Sequence, residues 1–436
     1  MNMRVDIIKR YVVRTAAAVA AFIGLTAAGE TSAMSASAAE PLPFDTVKAR
    51  LDMQRYVFPQ EKIHVTTDQS RYVAGDTIWL RAWLVDAATH QQVNASKYVY
   101  VELLNPFGDV EKRVKIREED GMYAGYVALD PEMAEGDYTM AAYTMFMESV
   151  GPEYFFRKRI GVISPYAAQA QIKAETAPAD NDEAVELTLA FRDPQEKPMH
   201  YEKMLVRTKG GKEMDGGRGD RTRTFKINRK DIDGRVLLLQ LDNYKKYLVV
   251  PPKAGLLDVT FHPEGGYLIP DIPCKVGFKA IDGGGRGVDV KGTVRDSNGE
   301  TVTDFAAIHA GLGTLVFIPK AGETYTAEVD GHTFALPEAR TDAAVLHVDN
   351  SRPETVNISA VGAVPQGAQV VVSNRGMARY ASGIEKGKVI RIPSESLGEG
   401  VVQVLLLTSD LQPLSERLVF IYPSEPLDGG IKATME

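Results

Sequence analysis

Residues 61–87 read EKIHVTTDQSRYVAGDTIWLRAWLVDA, and the alternation within them decides the fold. Over 77–86, Ile78, Leu80, Ala82 and Leu84 share one face of an extended chain, while Trp79, Arg81, Trp83 and Val85 share the other. A period of two is what a pleated strand produces, because successive side chains leave opposite faces. The rhythm returns over 98–104, 122–129 and 138–147, with Asn105-Pro106-Phe107-Gly108-Asp109 and Glu135-Gly136-Asp137 as turns between the runs. Six or seven strands fit before Pro165, the content of one β-sandwich.

Downstream, the strand signal lapses at 174–182 (AETAPADND), 251–255 (PPKAG) and 336–341 (LPEART), which read as linkers. The pattern predicts an all-β chain, a tandem array of about four immunoglobulin-like sandwiches at 60–166, 167–253, 254–340 and 341–424. A weak echo joins them: an extended run, an aspartate, a polar or glycine-rich turn, then another run, as at Asp86, Asp193, Asp282 and Asp296. Residues 39–59 hold one short amphipathic helix, 45–56, with Val47 and Leu51 a turn apart, expected to pack on the first sandwich.

Composition agrees with folded, globular protein: 44% hydrophobic, 25% charged and 8% aromatic residues. Residues 1–38 read as a secretory signal peptide, with Arg4, Lys9, Arg10 and Arg14 ahead of a small and apolar run and Ala36-Ser37-Ala38 as the cleavage site. No later stretch approaches membrane-spanning length, so no transmembrane span is expected in the mature chain. Cleavage removes those four cations and the anions Asp6 and Glu30, so the net charge of −8 becomes −10. That net charge argues against nucleic acid as partner, because phosphate binding needs a basic face. Cys274 is the single cysteine, which excludes an intrachain disulfide and leaves burial to hold the fold together.

On the residues Thr67, Asp68, Tyr72, Gly75 and Asp76, residues 61–87 resemble the opening of the second macroglobulin-type domain of the α2-macroglobulin and complement family. Gly136-Asp137-Tyr138 leading to Ala142-Tyr143-Thr144 resembles its last strand. The wider chain is similar to large exported proteins of Bacteroidetes in which such domains precede a TonB-receptor-plug-like or regulatory-like β domain. The segments that carry this are FHPEGGYLIPDIPCKVGFKAID (261–282), DSNGE (296–300) and SDLQPLSERLVFIYP (409–423). The resemblance implies macroglobulin-like sandwiches and a role at the outer membrane. The Cys-Gly-Glu-Gln motif of thioester-bearing members is missing, since Cys274 stands in Pro273-Cys274-Lys275-Val276, so a covalent protease trap is not expected. Residues 425–436 resemble the start of a further module, which implies that the chain is a fragment of a longer protein.

Trp79 and Trp83, with Tyr98 and Tyr100 and also Tyr123 and Tyr126 on neighbouring strands, could form an exposed strip that stacks on sugar rings or anchors a protein. The bland alternative places these rings in the sandwich core or between modules. The seven histidines show no metal-like spacing, and the His262-Pro263-Glu264-Gly265-Gly266 run reads as a backbone-positioning turn. Gly283-Gly284-Gly285-Arg286-Gly287 reads as a hairpin turn and Cys274 as a buried, inert thiol. Residues 209–223, which include Arg218-Gly219-Asp220, read as a charged mobile loop, and Asp180, Asp182 and Glu183 as solvated linker acids. No convergent titratable set points to an enzyme, and no metal or cofactor is expected. The expectation is a non-catalytic exported binding or scaffold protein of the Gram-negative envelope, in the periplasm or at the outer membrane, with an envelope protein as partner. The alternatives are a carbohydrate-binding or adhesive surface protein and a non-covalent protease inhibitor using 209–223 as bait.

Overall fold

A computed structural model describes residues 40–423 apart from Asn94, Gln169 and Ala254, so the leader and residues 425–436 lie outside the described residues. The chain divides into two compact units, Gln60–Leu256 and Leu257 onward, the latter taking in the helix α1 (Phe44–Val57). Both are built of paired β-sheets, and the fold is an all-β tandem array of sandwiches.

In the unit Gln60–Leu256 the first sandwich comprises β1 (Glu61–Thr67), β2 (Arg71–Val73), β3 (Thr77–Asp86), β4 (Tyr98–Leu104), β5 (Val110–Arg117), β6 (Tyr123–Ala128), β7 (Gly136–Tyr143) and β8 (Phe156–Ile163). One sheet has the order β1-β3-β6 and the other β2-β8-β7-β4-β5. Ile78, Leu80, Ala82 and Leu84 point between them into a core shared with Val99, Val101, Leu103, Tyr138 and Ile160. The second sandwich comprises β9 (Gln171–Ala179), β10 (Ala184–Arg192), β11 (Tyr201–Thr208), β12 (Glu213–Gly219), β13 (Arg223–Asn228), β14 (Val236–Leu241) and β15 (Tyr244–Val249), in sheets β13-β10-β9 and β12-β11-β14-β15. β14 is apolar on both faces: Leu237, Leu239 and Leu241 fill the second core, while Val236 and Leu238, with Tyr247, join the first. Tyr247 meets Phe107 edge-on at 5.1 Å, and Glu135 holds β15 through its backbone and through the Tyr244 hydroxyl at 2.9 Å. A Cβ on Gly136 would stand 3.0 Å from the Tyr247 ring, which is why a glycine occupies this junction.

Two sequence expectations are corrected here. Residues 174–182 are for the most part strand, not linker: β9 bonds β10 on one side only, and an edge strand tolerates the missing N–H of Pro178. Residues 209–223 are not simply a loop, because β12 pairs with β11 at an edge of the other sheet, with two register shifts. A Cβ on Gly216 would fall 2.6 Å from the Met204 sulfur, so this glycine serves close packing rather than mobility.

The second unit holds the third sandwich, β16 (Leu257–Pro263), β17 (Cys274–Asp282), β18 (Lys291–Arg295), β19 (Thr301–Ala306), β20 (Leu312–Phe317), β21 (Thr326–Val329) and β22 (His332–Ala335). Its sheets are β16-β17-β20 and β19-β18-β21-β22, closed over Phe261, Phe278 and Phe305. The fourth comprises β23 (Ala344–Asp349), β24 (Thr355–Gly362), β25 (Gln369–Asn374), β26 (Met377–Gly383), β27 (Val389–Pro393), β28 (Gly400–Leu407) and β29 (Pro413–Ile421), in sheets β23-β24-β27 and β26-β25-β28-β29. The aspartate echo has a structural meaning. Asp193, Asp282 and Asp296 each accept, through one carboxylate oxygen, the backbone N–H groups two and four residues on, closing a five-residue hairpin turn.

The helix does not pack on the first sandwich. Val47 and Leu51 of α1 are buried against Val371, Leu405, Leu407 and Leu411 on the outer face of the fourth. β25 and β28 are apolar on both faces, and the outward set has to be covered. Replacing Leu51 by Ala is expected to destabilise this unit by ~2–4 kcal/mol, read as a lower urea midpoint in far-ultraviolet circular dichroism.

Candidate binding face on the first sandwich

The segment that leads into β3 is organised by two carboxylates. Asp68 Oδ1 accepts from the Tyr72 hydroxyl at 2.6 Å and from the Trp79 backbone N–H at 3.0 Å. Asp76 Oδ2 accepts the Val73 N–H at 2.8 Å across a turn in which Gly75 takes φ +98°, a region that favours glycine. Tyr72 is buried in the core, so Asp68 ties an anchored ring to the backbone at Trp79. The Tyr72 hydroxyl, above all, holds the Asp68 carboxyl below its usual range.

Because Ile78, Leu80, Ala82 and Leu84 face inward, Trp79, Arg81 and Trp83 face outward from the β1-β3-β6 sheet. Trp79 is 59% exposed and Trp83 45%. Antiparallel register sets Tyr126 of β6 opposite Trp79, with the rings 5.3 Å apart, and His64 of β1 opposite Trp83. The Arg81 guanidinium sits over the Trp83 ring at 3.9 Å from its centroid. His64 in turn meets Phe156 edge-on at 5.2 Å. The result is one row of ring, cation and ring running along a central strand, with Tyr126 and His64 at its sides.

The sequence candidates do not all meet on this surface. Tyr98 and Tyr100 lie on β4, in the other sheet, so they are not neighbours of the tryptophans. There Tyr98 carries the Lys115 ammonium at 3.8 Å, and Tyr100 stacks on Tyr143 at 5.5 Å. Burial, then the Glu102 carboxylate, push the Tyr143 hydroxyl up to about 12. Tyr123 points inward and donates to the Ser96 carbonyl. Placing the tryptophans in a core fails, because β3 reserves its inward face for aliphatic side chains. Sequence reading gave Arg81 and His64 no role on this face. The signal available was Arg81 itself, a cation sharing strand parity with both tryptophans.

Elsewhere, several singled-out residues have structural tasks. Cys274 is buried, its thiol donating to the Ile269 and Ile272 carbonyls at 3.4 Å, and burial raises its pKa. The turn at 263–266 joins the third and fourth sandwiches: the Ser415 hydroxyl donates to the Gly265 carbonyl at 2.7 Å, and Arg417 pairs with Glu264 at 3.2 Å. Asp180, Asp182 and Glu183 pair with Lys226, Arg229 and Lys253. Among the described residues no group of His, Cys, Asp and Glu is placed to hold a metal, and no helix is long and apolar enough to cross a membrane.

No family model matches the sequence, and no curated protein matches it. Similar solved structures include a Salmonella α2-macroglobulin mutant, 13% identical over 84% of this chain and 30% of that one, with a TM-score of 0.29. They also include an Escherichia coli adhesin, 13% identical over 65% of this chain and 98% of that one (TM-score 0.23). A biofilm-associated protein domain is 8% identical over 91% of this chain and 100% of that one (TM-score 0.22). The chain spans less than a third of the length of the α2-macroglobulin.

Ionised Asp68 is the stabilising form, so its contribution is present above the ordinary carboxylate pKa and is lost as pH falls through the depressed folded value. Asp68→Asn is therefore expected to lower the urea midpoint at about pH 7, and the deficit should shrink toward about pH 3.

Proposed function

We propose that this chain is a non-catalytic binding protein of the bacterial cell envelope, and that its ligand docks on the outer face of the β1-β3-β6 sheet. The observation that carries this is the exposure of both tryptophans of the chain on one strand face. Large rings are costly to leave in water and supply much of the contact energy where partners meet. The leader supports export. The macroglobulin-type motif at 67–76, with the wider likeness to TonB-associated proteins of Bacteroidetes, supports a place accessory to outer-membrane uptake or assembly. The protease-inhibitor reading is weaker, since residues 213–219 of its bait segment are hydrogen-bonded into a sheet.

The test immobilises the chain from residue 39 onward, beside a Trp79→Ala/Trp83→Ala variant, and passes solubilised envelope of the source cell over both. Envelope material held by the parent and lost by the variant, at equal unfolding midpoints, is the expected result. Equal retention by both, or retention by neither, would overturn the reading.

A further inference from the structure

The outward positions of β1, β3 and β6 carry Lys62 and Arg81, with His64, among the rings, in a chain of net charge −8, and the carboxylate beside Trp79, that of Asp68, is taken up by the Tyr72 hydroxyl and the Trp79 N–H. A local excess of cations on an acidic protein selects for negative charge in what docks there. Arg81 is the centre of it. Its Nε is buried without a hydrogen-bond partner, and its guanidinium pairs with no carboxylate among the described residues. The Nε is closed to solvent, so an oxygen from outside would be met by the terminal N–H groups of the guanidinium held over Trp83. Trp79 and Trp83 stand four residues apart on the strand, about 13 Å at ~3.3 Å per residue, with Arg81 between them. That is longer than one sugar ring and suits a short run of a polymer.

We propose that the ligand is an acidic polysaccharide, a pyranose chain bearing carboxylate or sulfate groups, laid along β3. This rests on reading the face as the recognition surface. Trp79 and the face of Trp83 not covered by Arg81 stack on the C–H faces of the sugar rings, and the Arg81 guanidinium, held over Trp83, takes the anionic group, with Lys62 and His64 at the β1 side. A neutral glycan would leave the Arg81 guanidinium without a charged partner, and a bare polyanion would leave the rings unused.

The chain's two tryptophans both stand on this face, so their fluorescence reports binding at it. The full chain is titrated with polygalacturonate and with dextran sulfate as acidic probes. Fully methyl-esterified polygalacturonate serves as the neutral counterpart and polyphosphate as the ringless anion. The expected result is a saturable emission change with one or both acidic polysaccharides, which assigns carboxylate, sulfate or either. Binding should be roughly tenfold weaker for the methyl ester, for polyphosphate and for the Arg81→Gln variant. Arg81→Lys should fall between, keeping the charge without the planar fork, and added salt should weaken binding. Equal affinity for the methyl ester, equal affinity for polyphosphate, or no response to either acidic polymer would overturn the inference. Envelope retention that depends on the tryptophans would still stand after any of these, so the two readings fail separately.

Discussion

Burial of Ile78, Leu80, Ala82 and Leu84 between the two sheets of the first sandwich governs everything on its surface. The side-chain period of a strand is two, so a slip of one residue would turn these four outward and carry Trp79, Arg81 and Trp83 into the core. Each large aliphatic chain removed from water contributes ~1.5–3 kcal/mol, which makes that slip prohibitively unfavourable. The aromatic row is therefore held rigidly, although its own rings are half in solvent. Asp68 adds the second constraint by fixing where β3 begins, at the backbone of Trp79.

With one cysteine, no intrachain disulfide can join the modules, and within each unit the joints are made by residues that serve two cores. β14 does this between the first two sandwiches, lending alternate side chains to each. Between the third and fourth, the Ser415 hydroxyl accepts from the Leu346 N–H at 3.0 Å and donates to the Gly265 carbonyl, while Val345 joins the third core. A Cβ at Gly265 would come within 2.4 Å of Val345, so the joint is close-packed backbone against side chain. Such contacts resist hinging, because packed interfaces of this kind have few alternative arrangements.

The all-β character, the hairpin at Asp282 and the buried thiol of Cys274 were legible because each depends on local pattern. Strand order was not. Tyr98 and Tyr100 alternate as the tryptophans do, yet β4 crosses to the opposite sheet, and nothing within a strand states which sheet receives it. Residues 174–179 look like a linker because alanine, proline and acidic residues carry little strand propensity, and only pairing with β10 makes them extended. The helix had a readable clue: over 404–407 the run Val-Leu-Leu-Leu is apolar at every position, the mark of a strand covered on both faces. What the clue omits is which distant segment supplies the cover. The candidate face was half legible, in its rings, while the unpaired donor on Arg81 exists only once the neighbours are in place.

The berth of α1 has a consequence for the order of assembly. The Leu42 N–H bonds the Gln369 side chain across 327 residues, and Gln60–Leu256 is inserted in the chain between the helix and the rest of its unit. A chain that emerges N-terminus first produces the helix more than 300 residues before β25 and β28, on which it lies, are complete. Fourteen residues with no partner are only marginally helical alone in water. The segment therefore lacks its packing partner while the inserted unit folds behind it. It closes over the fourth sandwich as a clasp, set only when that module is complete.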